Sequence, residues 1–146
     1  MRLTAKSEYG LLAVIDLACR GTAGPVSARE ISERRNIPGK FLEQLLVSLR
    51  RAGIVTAVRG ARGGFVLAVD PASVTVLDVV EALDGPLESP VCDAEQDGGC
   101  GRGTSCAASA VWWRATYALR GVLGSTTVAD LASMQEQLDS AERCHT

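Results

Sequence analysis

The chain has 146 residues, a hydrophobic fraction of 47%, five cysteines, one histidine and a formal net charge of −2. That length fits one domain, or one domain with an appended element. No apolar run approaches the roughly 18 residues of a membrane span, and MRLTAKSEYG lacks the apolar stretch of a secretory signal, so the expected setting is the reducing cytoplasm, where structural disulfides are rare.

The small net charge conceals an asymmetry. Residues 1–70 hold 11 Lys/Arg against 6 Asp/Glu, whereas 71–146 hold 4 against 11. A basic half joined to an acidic one points to contact with a polyanion through one part alone.

In chain order, SEYGLLAVIDLACRG sets apolar residues at Leu11, Leu12, Val14, Ile15, Leu17 and Ala18. This is the pattern of a largely buried helix, with Gly21 as its stop. After Pro25, Ser27 and Glu30 stand in a capping-box relation and open a short helix through about Arg34. Asn36-Ile37-Pro38-Gly39 makes a tight turn, with Pro38 in the first turn of the next helix. That helix, KFLEQLLVSLRRAG, buries Phe41, Leu42, Leu45, Leu46 and Leu49. It leaves Lys40, Glu43, Gln44, Val47, Ser48 and Arg51 outside, and Gly53 ends it.

Two β-rich runs, 54–58 and 65–67, flank RGARGG, which predicts a hairpin with Arg59 and Arg62 at its tip. Thr75 and Asp78 form a second capping-box-like start, for a helix through Leu83. Gly85, Pro86 and Pro90 then break the chain. Beyond a cysteine-bearing loop, SCAASAVWWRATYALRGVL predicts a long helix with Val111, Trp112, Ala115, Leu119, Val122 and Leu123 as candidate apolar contacts. A turn at Gly124-Ser125 and a cap at Thr127 lead into a last helix, VADLASMQEQLDSAER.

The fold class expected is mainly α with a small β-hairpin wing. A winged helix-turn-helix covers 1–70, a connecting helix and linker 71–90, the cysteine loop 91–106, and C-terminal helices 107–146. In such a fold the third helix offers its outer face to the DNA major groove. Gln44 suits adenine, Lys40 guanine or phosphate, and Glu43 a cytosine amino group. Arg59 and Arg62 suit a minor groove. Arg50 and Arg51 suit phosphates, and Ser48 completes the candidate DNA-contacting set. Any one charged helix face is more often simply solvated; element order, arginine-bearing tip and half-chain charge together favour DNA. RGARGG is no nucleotide loop, since it lacks the Gly-Lys-Ser/Thr ending and no helix follows it.

The loop CDAEQDGGCGRGTSC spaces Cys92, Cys100 and Cys106 as C-x7-C-x5-C. Thiolates take soft or borderline metals, and iron–sulfur clusters take cysteine ligands preferentially. Glycines let the backbone wrap closely around an inorganic core. Tetrahedral zinc is the nearest rival, although its usual C-x2–4-C pairs are missing and His145 is the sole histidine. A thiol–disulfide switch is a second rival. Cys19, on the apolar first helix, reads as a packed small hydrophobe. No Ser-His-Asp set, nucleotide loop or paired-carboxylate motif is present, so neither an enzyme nor a small-molecule substrate is expected.

MRLT, ISERRNIP, FLEQLLVSLRRAGIV, VRGARGGFVLA, the three-cysteine loop and CAASAVW together resemble the IscR/NsrR family of bacterial iron–sulfur winged-helix transcription regulators over nearly the whole chain. The resemblance implies a homodimer joined by the long helix at about 105–123, bound to double-stranded promoter DNA. It also implies an iron–sulfur cluster, 2Fe–2S or 4Fe–4S, on Cys92, Cys100 and Cys106, through which iron, redox or nitric oxide sets gene expression. IscR-like members carry a histidine three residues after the last cysteine, where this chain has Ser109. Other members use an acid in the first helix of the partner subunit, which points to Glu8. The alternatives are a cluster-free regulator answering to a metabolite or thiol oxidation, and a zinc-binding regulator.

Overall fold

The computed structural model describes residues 3–21, 23–88 and 106–144. Helix α1 spans Ala5–Cys19 and starts two residues before the stretch SEYGLLAVIDLACRG, because the Thr4 hydroxyl accepts from the Lys6 amide and fixes the N-cap. The expected capping box at Ser27 forms: Glu30 donates its amide to the serine oxygen at 3.2 Å, and its carboxylate accepts from the Ser27 amide at 2.8 Å. It opens α2, Ala28–Arg35. Asn36 ends that helix at φ 52°, a left-handed conformation asparagine tolerates.

Helix α3 runs from Gly39 to Arg51. Pro38 is its N-cap and lies just outside the first turn; its φ of −56° is paired with an extended ψ of 125°, and its carbonyl accepts from Leu42 at 2.9 Å. The C-terminus is a Schellman motif. Gly53, at φ 76°, donates to the Arg50 carbonyl and Ile54 donates to that of Leu49, both at 3.0 Å. Leu49 and Ile54 join the same core, so the turn that starts the wing is set by packing as well as hydrogen bonding.

Strands β1 (Val55–Val58) and β2 (Gly64–Leu67) pair antiparallel from Val55↔Leu67 to Val58↔Gly64. Val26 adds a one-residue third strand, exchanging hydrogen bonds of 3.0 and 2.7 Å with Phe65. A Cβ at position 64 would lie 2.5 Å from the Val26 carbonyl carbon and oxygen, so this close approach needs glycine.

Helix α4, Val76–Asp84, has the Thr75–Asp78 capping box anticipated from the sequence. Helices α5 (Ala107–Ser125) and α6 (Val128–Cys144) follow. The turn expected at Gly124-Ser125 falls instead at Thr126-Thr127; the helix continues through Gly124, where a Cβ would meet Leu77 at an ordinary contact distance of 3.6 Å. Reciprocal bonds of 2.9 Å, Val76 to Thr126 and Val128 to Val74, clip the start of α4 to the end of α5, so the two helices run antiparallel.

The main core joins α1, α2, α3, the wing, α4 and α6 through residues such as Val14, Ile31, Leu42, Leu46, Leu49, Val79 and Val128. Burying each such side chain contributes about 1.5–3 kcal/mol. Tyr9 and Phe41 meet edge to face at 5.7 Å and bind α1 to α3. A smaller cluster of Val76, Val80 and Leu87 receives Leu119 and Leu123 of α5. No described helix is long and apolar enough to cross a membrane.

Candidate nucleic-acid interface and cysteine site

Helix α3 turns Leu42, Leu45, Leu46 and Leu49 inward, and this alone fixes what points out. Lys40, Glu43, Gln44, Arg50 and Arg51 are exposed, as are Arg59 and Arg62 at the hairpin tip. Ser48 is half-buried and donates its hydroxyl to the Gln44 carbonyl at 3.3 Å, so it serves its own helix in this state. Val47 also stands outside, 46% exposed.

A buried acid orients the reading unit, and nothing local in the sequence names its partners. Asp16, 2% exposed on α1, accepts from Arg34 through Nε at 3.2 Å and Nη2 at 2.6 Å, and from Arg35 Nε at 3.0 Å. The paired carboxylate holds the Arg34 guanidinium above its ordinary value, against the opposing effect of burial. Arginine's planar fork makes such a contact directional. The pair locks α2, and through it α3, onto α1. The sequence signal was an aspartate on an otherwise apolar helix face, with its partners 18 and 19 residues away.

Two further polar knots flank the cysteine region. Asp84, the last residue of α4, accepts from the Thr4 hydroxyl at 2.6 Å, from the Thr4 amide at 3.3 Å and from the Ser7 hydroxyl. Burial pushes its carboxyl up, but these hydrogen bonds outweigh that and hold it below the usual aspartate range. Glu81 accepts from the Leu87 amide at 3.0 Å and from Arg120, which also reaches the Leu87 carbonyl at 3.2 Å. The chain is thus pinned to α5 just before the cysteine loop begins.

Of the three loop cysteines, Cys92 and Cys100 lie outside the described residues. Cys106 is half-buried and is the N-cap of α5, with no side-chain capping bond on its sulfur. Ser109, where IscR-like members carry histidine, is buried and donates its hydroxyl to the Cys106 carbonyl at 2.6 Å. Glu8 is exposed in the first turn of α1, next to Ser7 and hence near Asp84. With Glu81 opposite Arg120 in the antiparallel pair, Asp84 lies level with about Tyr117, and Cys106 is about 16 Å farther along α5. No contact joins Glu8 to Cys106 among the described residues. Among the described residues no group of three potential metal ligands occurs.

Much of α5 is only lightly packed by the described residues. Val111, Trp112 and Val122, expected as apolar contacts, are exposed, and so are Trp113 at 56% and Tyr117 at 80%. Ala115 is exposed as well, whereas Leu119 and Leu123 make the anticipated contacts. Cys19 behaves as read: it is half-buried, its sulfur lies 3.7 Å from the Ala132 carbonyl, and burial first and Glu136 second push its thiol up.

Residues 3–134 match the Rrf2 family model, described as an iron-dependent transcriptional regulator. The HTH-type transcriptional regulators IscR of Citrobacter koseri and of Escherichia coli strain K12 are each 40% identical over the whole chain, which spans 88% and 89% of those proteins. Among solved structures, T. potens IscR superimposes with a TM-score of 0.77 at 34% identity, over 94% of this chain and 90% of that one. CymR, described as the global cysteine regulator of B. subtilis, gives 0.76 at 38%, over 92% and 98%. The oxidised form of Staphylococcus aureus CymR gives 0.73 at 33%, over 90% and 96%. The six α-helices and antiparallel hairpin among the described residues agree with these relatives, and the chain belongs to the Rrf2 family of DNA-binding transcriptional regulators, which are not enzymes.

Proposed function

We propose that the chain works as a homodimer whose grip on promoter DNA is set by an iron–sulfur cluster on Cys92, Cys100 and Cys106, with Glu8 of the partner subunit as the remaining ligand. The observation that carries this reading is Cys106. Among the described residues its sulfur makes no capping bond, and it stands at the positive end of a 19-residue helix, where the dipole favours the negative charge of a thiolate-ligated cluster. Three soft thiolates with one hard carboxylate also suit iron better than the paired spacing of structural zinc. The bound group would supply a reactive iron sensitive to oxygen, nitric oxide or iron supply.

The rest of the chain's contribution is geometric. The axial offset of about 16 Å between the level of Asp84, beside which α1 begins, and Cys106 favours a ligand from the partner over Glu8 of the same chain. The exposed aromatic face of α5 is a surface of the kind that dimerisation covers. In each subunit, Lys40, Glu43 and Gln44, with Ser48 beside them, would meet base edges or nearby phosphates. Arg50 and Arg51 would meet phosphates, and Arg59 and Arg62 the minor groove. Glu8 shares α1 with Asp16, so a change at the cluster has a rigid route to the reading unit. On this reading 1–70 is the DNA-binding unit, 71–90 the connection, 91–106 the sensor and 107–146 the dimerisation element.

The test is anaerobic purification with iron and sulfide counted per chain, then titration of its own promoter with holo and apo protein at fixed salt. A bound cluster and a holo/apo difference in affinity support the proposal. A colourless protein that stays apo after reconstitution rejects it. Similarity to the CymR structures favours the second reading, a cluster-free regulator governed by thiol oxidation or a metabolite. That reading predicts the colourless outcome with DNA binding retained.

A further inference from the structure

One apolar side chain interrupts the polar outer face of α3. Val47 is 46% exposed and belongs to neither hydrophobic cluster. At 100° per residue, the buried Leu42, Leu45, Leu46 and Leu49 define an inner direction. Lys40, Gln44, Val47 and Arg51 lie within about 30° of the opposite direction, whereas Glu43, Ser48 and Arg50 lie about 70–90° aside. Val47 is therefore turned outward as squarely as Gln44, and sits about 4.5 Å farther along the axis.

On propensity alone valine is a poor occupant of an exposed helix site, because its branched Cβ restricts χ1. The same stiffness presents two methyl groups in a nearly fixed position, which costs little entropy on contact. Among the features that bases show in a major groove, the one apolar group is the 5-methyl of thymine. A rise of about 4.5 Å against about 3.4 Å per base pair places that thymine one or two pairs beyond the base at Gln44.

We propose that Val47 is a specificity-determining residue that reads a thymine through its 5-methyl group. This deepens the DNA-binding role, and rests on the outer face of α3 entering the major groove.

The test begins with selection of binding sites from a pool of random 30-base-pair duplexes by the anaerobically prepared full-length protein. Each thymine of the selected site is then replaced by deoxyuridine, which removes the methyl and leaves the pairing edges intact. Dissociation constants are measured by fluorescence anisotropy at fixed salt for wild type, Val47→Ala and Val47→Thr. One thymine per half-site should weaken wild-type binding about three- to fivefold when its methyl is removed. That effect should vanish in Val47→Ala and persist in Val47→Thr, which keeps a methyl. Because position 47 is exposed, both variants should melt like wild type. Selection of a site with no thymine coupled to position 47 overturns this inference and leaves DNA reading by the protein intact. Failure to enrich any duplex overturns both.

Discussion

Asp16 shows how a single buried charge sets the pose of a reading unit. Its carboxylate neutralises two guanidiniums that are themselves 28% and 19% exposed, so removing it strands cations that water reaches in part. Asp16→Ala should lower unfolding stability by about 3 kcal/mol, the low end for breaking a buried pair, as measured by urea denaturation. Asp84 differs because its folded carboxyl is held below the ordinary value of 3.8. Its contribution is present above that value and is lost as pH falls through the lower, folded one. Asp84→Asn should therefore melt below wild type at pH 7, with the gap closing below about pH 4; a pH-independent gap would argue for packing alone. At this scale legibility followed sequence distance. The capping boxes at Ser27 and Thr75 were readable because both partners lie within three residues, whereas Asp16 and Asp84 find theirs across 18 and 77 or more.

Among the elements, α3 was the most legible, since four leucines at helical spacing determine both its buried and its outward faces. The wing was readable as a hairpin but not in its attachment, because the Val26–Phe65 pairing depends on a glycine chosen for lack of a side chain. Gly64→Ala should cost about 1–3 kcal/mol through forced separation of that pairing, seen as a lower thermal midpoint. Helix α5 was the least legible. Six of its residues were expected to pack, and four of them, Val111, Trp112, Ala115 and Val122, face outward, which helical spacing within one chain does not foretell. Trp113→Glu with Tyr117→Glu should yield a monomer in sedimentation velocity with α-helical content unchanged. A persistent dimer would remove α5 as the dimerisation element.

For the molecule as a whole, the charge division between halves pointed to a polyanion-binding part, whereas the cysteine spacing suggested the proposed sensor without saying which chain would complete its site. A mixed dimer of Glu8→Ala and Cys106→Ser subunits separates the possibilities. Ligation across the interface leaves one site with a full ligand set, so the mixed dimer should hold one stable cluster where either homodimer holds none. Ligation within a chain leaves no complete set, and the mixed dimer should be as labile as its parents. Iron content and absorbance after air-free size exclusion decide the matter.

The engagement of Arg34 and Arg35 by the buried Asp16 has a consequence for ionic strength. Cations already matched inside the fold displace few condensed counterions from a duplex. On α3 and the wing, Lys40, Arg50, Arg51, Arg59 and Arg62 remain, which in the proposed dimer would give about ten phosphate neutralisations and a log–log salt slope of about −9. A much steeper slope would mean that the internal pairs open on the operator.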